Sequence, residues 1–447
     1  MARASSATLA SVVVLNTCTV TSAADRDARA AIRRVRRENP GASIVVTGCY
    51  AQRAPEEIAG LPGVSYVVGN SHKHQLAEIA LKGNAGSPAP GFVPLEALGW
   101  NGEGLGGRPP IFVSDIFAHT ELLAAPVFDM SGDTGGGLHE RTRPNLKVQD
   151  GCDNRCSFCV IPYVRGQSRS LGMDQILREV NALVESGYRE VVISGINLGQ
   201  WGRDLAVSSE PSAFRGIQDL VADGRGLTSL IRAILSATSI EKLRISSVEP
   251  MDWSDELIAL AASSPRIARH AHVPLQSGSD AVLRRMHRRY RPWHYREKIE
   301  KIHAAMPDAA IGADVMVGFP GETEAEFEAT RRLIADLPFT YLHVFSYSAR
   351  PGTPAAVMGN QVPVHVTRER NRILRELGAE KKLGFMRGFV GKEVEAITLQ
   401  SCGADFTEAL TDNYLKLHLQ GRHEANRWLR VLVNDVVDGA LVGCIRG

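Results

Sequence analysis

Three cysteines lie close together in the run KVQDGCDNRCSFCVIPYVRG. Cys152, Cys156 and Cys159 follow the spacing C-x3-C-x2-C. Thiolates are soft ligands that favour iron–sulfur clusters and zinc, and three of them can hold three irons of a [4Fe–4S] cluster. A structural zinc site is the alternative, but such sites usually take four ligands, often as paired C-x2-C knuckles. The sequence has no second knuckle, so we predict the cluster.

Only three thiolates are clustered, so the fourth iron would keep an open coordination position. S-adenosylmethionine (SAM) could chelate that iron through its amino and carboxylate groups. Electron transfer from the cluster would then cleave the sulfonium and give a 5′-deoxyadenosyl radical, while the protein supplies the geometry. We therefore expect a [4Fe–4S] cluster and SAM as cofactors, with Cys152, Cys156 and Cys159 as the catalytic cysteines and metal ligands.

Composition describes an ordinary globular protein, with 447 residues, 44% hydrophobic and 22% charged, and a length that suits about two to four domains. Seven cysteines, three of them clustered, do not suggest a disulfide framework. Thiols kept for metal binding imply a reducing compartment, so we expect a cytoplasmic location. The formal net charge is only +2, so affinity for nucleic acid would have to come from local patches. No apolar run reaches the roughly 18 residues of a membrane span, and we expect no membrane partner.

Strands alternate with helices from Asn145 onward for some two hundred residues, which predicts an α/β fold built of parallel βαβ units. Six strands allow a doubly wound open sheet or an incomplete (β/α)6 barrel. A cluster-binding loop after the first strand favours the barrel, where chemistry lies at the C-terminal ends of the strands. The strands are predicted at 145–148, 190–194, 242–246, 270–274, 312–317 and 341–346, with helices that include 173–186, 226–237, 324–336 and 368–387.

Smaller regions flank this central domain, which we assign to 143–387. Residues 1–82 are predicted to form a small α/β domain, and the Gly- and Pro-rich stretch 83–142 a linker. Residues 388–447 switch to period-two patterning, which predicts a small β-barrel of the kind that binds oligonucleotides. A β-domain used only for packing is the alternative.

Polar residues and glycines follow the predicted strands, where a bound nucleoside would lie. Glycine lets backbone amides approach a ligand closely, and carboxylate, amide and hydroxyl groups can pair with ribose and methionyl groups. Each motif alone is weak, because such residues are common in βα loops. Their repeated placement predicts a SAM site that includes Gly195, Asn197, Ser247, Glu249, Gln276, Gly318 and Gly321.

Cys18 and Cys49 each follow an apolar strand, in VVVLNTCTVT and IVVTGCYAQ. Two parallel strands could present both thiols at one edge, so we predict a metal role for them, with buried packing as the alternative. Two thiolates are too few for a conventional cluster site. No other cysteine lies near Cys402 or Cys444 at a spacing typical of metal ligands, and we interpret both as packing residues.

Arginines alternate with aromatic residues in the segment LRRMHRRYRPWHYREK. This pattern suits phosphate contacts and base stacking. We expect Arg285, Arg288 and Arg289 to bind RNA, with a solvated helix face as the alternative.

Together these motifs resemble the methylthiotransferase group of radical SAM enzymes over nearly the whole chain. The resemblance rests on NTCTVT, TGCYAQ, DGCDNRCSFCVIPYVRG, VPLQSGSD, VGFPGETE and YSARPGTPAA. It implies an N-terminal domain with an auxiliary [4Fe–4S] cluster, a central radical SAM barrel and a C-terminal RNA-binding β-domain of the TRAM type. NTCTVTSAADRDAR and VIPYVRGQSRS look most like the branch that modifies threonylcarbamoyladenosine beside the tRNA anticodon.

The resemblance implies an enzyme that adds a methylthio group to adenine C2. One SAM molecule would methylate sulfur held at the auxiliary cluster, and a second would be cleaved at the clustered cysteines. The implied partners are tRNA and an electron donor such as flavodoxin or ferredoxin. Another tRNA adenosine and a ribosomal-protein aspartate are the alternative targets within the group.

The sequence departs from the group at the auxiliary cluster. That cluster normally takes three N-terminal cysteines, the first of them ahead of the strand that leads into NTC, whereas here only Cys18 and Cys49 are present. We expect a start assigned too far downstream or an absent first segment, and a two-cysteine variant with an outside ligand is the alternative. A truncated chain would cleave SAM without transferring sulfur.

Overall fold

The computed structural model describes residues 6–82, 108–119, 122, 142–205, 226–403 and 405–445. These residues form two compact units. The first contains the described residues before 123 together with Gly151–Gln167 and Ser348–Ala356. The second contains 142–150, Ser168–Tyr347 and the described residues after 356. This division differs from the predicted boundaries, because two segments of the predicted central domain belong to the first unit. The predicted linker lies mostly outside the described residues.

The first unit is built on a parallel four-stranded sheet of order β1-β2-β3-β4. Ile44 and Val46 of the second strand pack with α1, whereas Val45 packs with α4, and all three are 0% exposed. A parallel strand that is covered on both faces has a continuous run of apolar residues. The second strand has such a run, so its sequence alone indicates a strand. The elements are β1 (Val12–Thr17), α1 (Ser22–Glu38), β2 (Ser43–Gly48), α2 (Cys49–Arg53), α3 (Pro55–Ala59), β3 (Val64–Val68), α4 (Leu76–Lys82), β4 (Ile111–Phe112) and α5 (Ile161–Arg165).

The second unit contains six parallel strands in the order β5-β8-β9-β10-β11-β12, where two three-stranded sheets are joined by isolated bridges between β9 and β10. The predicted incomplete barrel is confirmed. Its strands are β5 (Asn145–Lys147), β8 (Glu190–Ser194), β9 (Lys242–Ile245), β10 (His270–His272), β11 (Ala310–Val317) and β12 (Tyr341–Ser346), and β6 (Gln149–Asp150) pairs with β7 (Arg169–Ser170).

Amphipathic helices cover this barrel. In α6, for example, Ile176, Leu177, Val180 and Leu183 are buried at helical spacing. Thr323 and Glu326 form a capping box at the start of α11, where each side chain bonds the backbone of the other residue. The helices are α6 (Met173–Glu185), α7 (Leu227–Ala237), α8 (Asp255–Ser263), α9 (Asp280–Arg285), α10 (Pro292–Ala305), α11 (Glu324–Asp336) and α12 (Val364–Arg387).

A closed five-stranded β-barrel follows α12 and confirms the predicted β-domain. Its strands run in the order β13-β14-β15-β17-β16. Alternate side chains face its core, so Leu417 and Leu419 are fully buried whereas Lys416 and Gln420 are exposed. The strands are β13 (Glu393–Cys402), β14 (Phe406–Thr411), β15 (Lys416–Gln420), β16 (Trp428–Val437) and β17 (Ala440–Ile445).

The turn 412–415 between β14 and β15 lies against the N-terminal ends of the parallel strands. Asp412 accepts hydrogen bonds from the Arg244 guanidinium at its carbonyl oxygen (3.0 Å) and from the Arg269 N–H at its carboxylate (3.1 Å). Asn413 donates to the Asp308 carbonyl at 3.0 Å. The β-barrel therefore docks on the incomplete barrel through specific hydrogen bonds. No helix in the described part of the chain is long and apolar enough to cross a membrane.

Candidate functional site

The clustered cysteines lie in the loop that precedes α5. The Cys159 N–H donates to the Cys156 carbonyl and the Cys152 N–H to the Gly166 carbonyl, both at 3.1 Å. Gly151 has φ +72°, and a Cβ there would lie 1.8 Å from the Gln167 carbonyl oxygen, so only glycine fits. Backbone contacts therefore set the course of the loop and leave its three thiol side chains half-buried.

This donor set fits the cofactor expected from the sequence. The thiols of Cys152, Cys156 and Cys159 take part in no disulfide. Three such ligands on one short loop can hold three irons of a [4Fe–4S] cluster. Ser157, between them, is fully buried, and its carbonyl accepts from the Ala355 N–H at 2.8 Å. The segment 348–356 thus supports the loop from its own unit.

Cys18 and Cys49 lie side by side at one edge of the first sheet. The parallel register places Thr17 opposite Gly48, so the next residue on each strand is a cysteine. Cys49 is buried at the start of α2, and Cys18 is exposed. The Cys49 sulfur accepts from Arg165 Nε at 3.1 Å and from Asn70 Nδ2 at 3.5 Å. Two thiolates are fewer than a [4Fe–4S] cluster usually takes, so this pair fits such a cluster only in part.

A buried ion-pair network next to Cys18 was not foreseen. Asp25, 5% exposed, pairs with Arg350 and with Arg53, whose Nη2 lies 3.0 Å from Asp25 Oδ2. Thr19, which follows Cys18, accepts from both arginines and donates to Asp25. The segment YSARPGTPAA contains Arg350, but nothing local in the sequence indicates its distant partner.

The residues predicted to bind SAM follow the strands of the incomplete barrel, as their spacing indicated. The Asn197 N–H donates to Gln149 Oε1 at 2.8 Å, and a Cβ at Gly195 would lie 2.7 Å from the same atom. Gln276 has φ +63° although it is not glycine, a backbone conformation that costs free energy and is often associated with function. Ser247 forms a bridge to His272 just beyond β9. Their contact with SAM remains a prediction.

Gly318 and Gly321 form the turn after β11, with φ of +74° and +73°. The Gly318 N–H donates to the Glu322 carboxylate at 2.8 Å, and Arg370 pairs with the same carboxylate at 2.8 Å. Burial raises the pKa of Glu322, while the Gly318 N–H and Arg370 oppose that rise. These contacts hold the turn in one conformation.

The structure corrects one expected RNA contact. Arg288 is only 8% exposed and forms an ion pair with Glu249. Its guanidinium also lies over the Tyr290 ring, 4.9 Å from the centroid. An arginine buried in this way is not available at the surface for a phosphate. It instead orients Glu249, one of the residues predicted to bind SAM.

The neighbouring residues of that segment divide between core and surface. Arg285 forms two hydrogen bonds of 2.9 Å with the Glu326 carboxylate. Tyr290 and Tyr295 are buried and donate to carbonyls at positions 273–275, so they are unavailable for base stacking. Arg289 is exposed, and Trp293 is 56% exposed. The side chains of these two residues are therefore accessible to RNA.

A cavity of about 700 Å³ lies inside the second unit, between the parallel strands and the turn 412–415. Two arginines of the cavity wall share a buried carboxylate. Glu190 Oε1 lies 2.6 Å from Arg244 Nε and 3.6 Å from Arg143 Nη1. Burial lowers the pKa of His270 well below its usual value, which favours the neutral imidazole. Its Nε2 atom lies 2.7 Å from the Tyr341 hydroxyl. The cavity is lined by charged and aromatic side chains that belong to no sequence motif, namely Arg143, Arg244, His270, Tyr341 and Tyr414.

His272 and His343 also line this cavity. Asp314 Oδ1 is 3.1 Å from His272 Nε2 and 3.3 Å from His343 Nδ1. Burial alone would raise the pKa of the Asp314 carboxyl, but the two imidazoles hold it well below its usual value. The three residues are far apart in the sequence and form no motif.

Comparisons with known proteins agree with this architecture. Residues 146–334 match the model of the radical SAM superfamily, and residues 1–69 match an uncharacterized protein family, UPF0004. Among solved structures, the radical S-adenosylmethionine methyltransferase TsrM from Kitasatospora setae superposes with a TM-score of 0.53. That match covers 88% of this chain and 68% of the other at 14% identity, so it shows the fold alone.

Curated relatives match over almost the full chain. The threonylcarbamoyladenosine tRNA methylthiotransferase MtaB of Aquifex aeolicus is 36% identical over 95% of this chain and 91% of its own length. The protein of the same name from Bacillus subtilis is 35% identical over 93% and 83%. A tRNA-2-methylthio-N(6)-dimethylallyladenosine synthase of Novosphingobium aromaticivorans is 34% identical over 87% and 78%.

Proposed function

The chain belongs to the radical SAM methylthiotransferase family, and from that membership we propose that it adds a methylthio group to C2 of threonylcarbamoyladenosine in tRNA. The observation that carries the substrate assignment is the 36% identity to a threonylcarbamoyladenosine enzyme over 95% of this chain. The motif NTCTVTSAADRDAR, which runs from the end of β1 into α1, supports the same branch.

The cysteine loop is the proposed place of SAM cleavage. Cys152, Cys156 and Cys159 would hold the [4Fe–4S] cluster, which with SAM supplies a 5′-deoxyadenosyl radical. A radical suits the reaction because the adenine C2–H is neither acidic nor readily attacked by a thiolate. The remaining task of the protein is to bind and orient SAM and the nucleoside, and to exclude water.

The chain supplies groups suited to that task. Gly195, Asn197, Ser247, Gln276, Gly318 and Gly321 would bind SAM through backbone and side-chain polar atoms at the strand ends. Glu249 would accept from SAM hydroxyl or amino groups, and Arg288 holds its carboxylate in place. The β-barrel and Arg289 would bind tRNA. We further propose a cytoplasmic location and an electron donor of the flavodoxin or ferredoxin kind.

The family carries a second cluster, for which this chain supplies Cys18 and Cys49. Because two thiolates are fewer than such clusters usually take, we derive no step through it. Iron and acid-labile sulfide per chain should be measured after anaerobic reconstitution, in the wild type and in the Cys152/Cys156/Cys159 triple alanine variant. A fall from about eight irons to about four would mean that Cys18 and Cys49 hold a cluster with outside help, and a fall from about four to none would mean that they hold none.

The function is tested by nucleoside mass spectrometry of tRNA from a strain that lacks the gene. We expect the 2-methylthio form of threonylcarbamoyladenosine to disappear and its precursor to accumulate. The wild-type gene should restore the product, and a Cys156→Ala gene should not. Loss of a different methylthiolated nucleoside, or of none, would reject the proposed substrate. Formation of 5′-deoxyadenosine without methylthiolation would instead identify a chain that cleaves SAM but does not transfer sulfur.

A further inference from the structure

Two imidazoles that line the cavity of the second unit lie close to one carboxylate. His272, Asp314 and His343 lie on the neighbouring strands β10, β11 and β12, and their polar atoms all lie within 4.8 Å of one another. The register places His343 opposite Asp314, and His272 opposite Gly312, two residues before Asp314. Residues two apart on a strand point to the same face, so the three side chains share one face of the sheet.

The two distances from Asp314 Oδ1 to the imidazole nitrogens match those between ligands of one metal ion. Bonds of about 2.1 Å from zinc to nitrogen or oxygen place two ligands about 3.0 Å apart at a right angle, or about 3.4 Å apart in a tetrahedron. The observed separations from Asp314 Oδ1 are 3.1 Å to His272 and 3.3 Å to His343. Both fall within this range.

A purely hydrogen-bonded cluster accounts less well for His272. Its Nε2 atom is 3.1 Å from the carboxylate, yet it is buried and has no hydrogen-bond partner in the part of the chain that the structure describes. A buried polar atom without a partner costs about 1–3 kcal/mol. Coordination explains the position of His272, because two ligands of one ion lie side by side and do not point at each other, whereas His343 Nδ1 is hydrogen-bonded to Asp314 Oδ1 at 3.3 Å.

We propose that His272, Asp314 and His343 bind one divalent transition-metal ion. Imidazole and carboxylate donors suit ions such as Zn²⁺, Fe²⁺ and Mn²⁺, whereas the thiols of the other unit favour iron–sulfur clusters. Three protein ligands leave coordination positions open, as in metal sites that bind a water or a substrate. Both imidazoles line the cavity, so the open positions are accessible to a molecule bound there.

The proposal is tested with Mn²⁺, which prefers oxygen and nitrogen donors to thiolates. Electron paramagnetic resonance would measure free Mn²⁺ in a titration of the full chain with its iron–sulfur cluster reconstituted. We expect one ion per chain in the wild type. The Asp314→Asn variant should bind more than about 100-fold more weakly, since even groups that only orient a ligand typically contribute 10–100-fold. Enhanced water-proton relaxation by the bound Mn²⁺ would show the open positions.

Two further variants control for misfolding and for unspecific binding. His343 has a 58% exposed side chain, so His343→Gln should fold normally and yet lose the ion. His303 is exposed on α10, and His303→Gln should bind Mn²⁺ as the wild type does. The proposal is overturned if the wild type binds no Mn²⁺, or if His343→Gln and Asp314→Asn bind it with unchanged affinity. Neither outcome depends on methylthiotransferase activity.

Discussion

Arg165 Nε donates a hydrogen bond of 3.1 Å to the sulfur of Cys49. Arg165 is the last residue of α5, the helix that follows the cysteine loop, and Cys49 is the first residue of α2. The side chain therefore connects the loop of the proposed SAM cluster to the edge where the two N-terminal cysteines lie. Hydrogen bonds to ligand sulfur are among the factors that set the reduction potential of an iron–sulfur cluster.

Replacing Arg165 by leucine should make a cluster bound at Cys49 harder to reduce, because the variant loses a charged donor to the ligand sulfur. The measurement is a redox titration of the reconstituted protein, followed by electron paramagnetic resonance. Arg165→Lys, which keeps the positive charge, should shift the potential less than Arg165→Leu. Equal potentials in the wild type and the leucine variant would show that this hydrogen bond does not tune a cluster.

Arg289 is exposed and should contact tRNA phosphate, whereas its neighbour Arg288 is buried against Glu249. We expect Arg289→Ala to weaken tRNA binding and to reduce the slope of log K against log salt by about 1. Arg288→Lys is the matched control, because it should leave this slope unchanged and instead weaken SAM binding. Unchanged slopes in both variants would show that Arg289 does not contact phosphate and belongs to a solvated surface.

Arg350→Met should destabilise the first unit, because it leaves the buried Asp25 with one arginine instead of two. Loss of one partner from a buried ion pair typically costs about 3–5 kcal/mol. Because Arg53 still pairs with Asp25 in the variant, we expect the free energy of unfolding to fall by about 3 kcal/mol. Urea unfolding would measure the change in free energy. Arg368→Met, at an exposed position on α12, should change it by less than about 0.5 kcal/mol. A similarly small effect for Arg350→Met would contradict the prediction.

Tyr50 should make the first unit sensitive to alkaline pH. Burial raises the pKa of its phenol to about 12, and donation to Glu57 adds to that rise. The folded-state pKa of Tyr50 exceeds the ordinary value of 10.0. The protonated phenol therefore makes its full contribution to the stability of the folded state below pH 10, and this contribution is lost as the pH rises to about 12. Hydrogen exchange of peptides from β2 and α2 should therefore accelerate more steeply in this range for the wild type than for Tyr50→Phe. Identical pH profiles would count against the prediction.

The elements of the fold were largely readable from local patterns. The predicted helix 324–336 coincides with α11, whose capping box and apolar spacing are both local signals. β4 was missed because its two residues, Ile111 and Phe112, are too few to show a period. Its existence depends on pairing with β3, which is a tertiary contact.

The candidate site was predictable only where its residues are neighbours in sequence. The cysteine loop and the glycine turn after β11 are compact motifs, and the structure places them in loops. Arg288 was misinterpreted because its partner Glu249 is 39 residues away, and a local run of arginines does not show which one is buried. His272, Asp314 and His343 come together only through the register of three strands, so no sequence spacing indicated them.

The turn 412–415 has a consequence for exchanging parts between related enzymes. Tyr414 of this turn completes the wall of the cavity, and its ring centroid lies 4.9 Å from that of His270. A chimera that took its β-barrel from a relative would therefore also change the shape of the pocket, even if every residue of the parallel strands were kept. An exchange of this β-barrel should therefore be planned together with the pocket, so that the grafted turn and Arg244, Arg269 and Asp308 are chosen as one set.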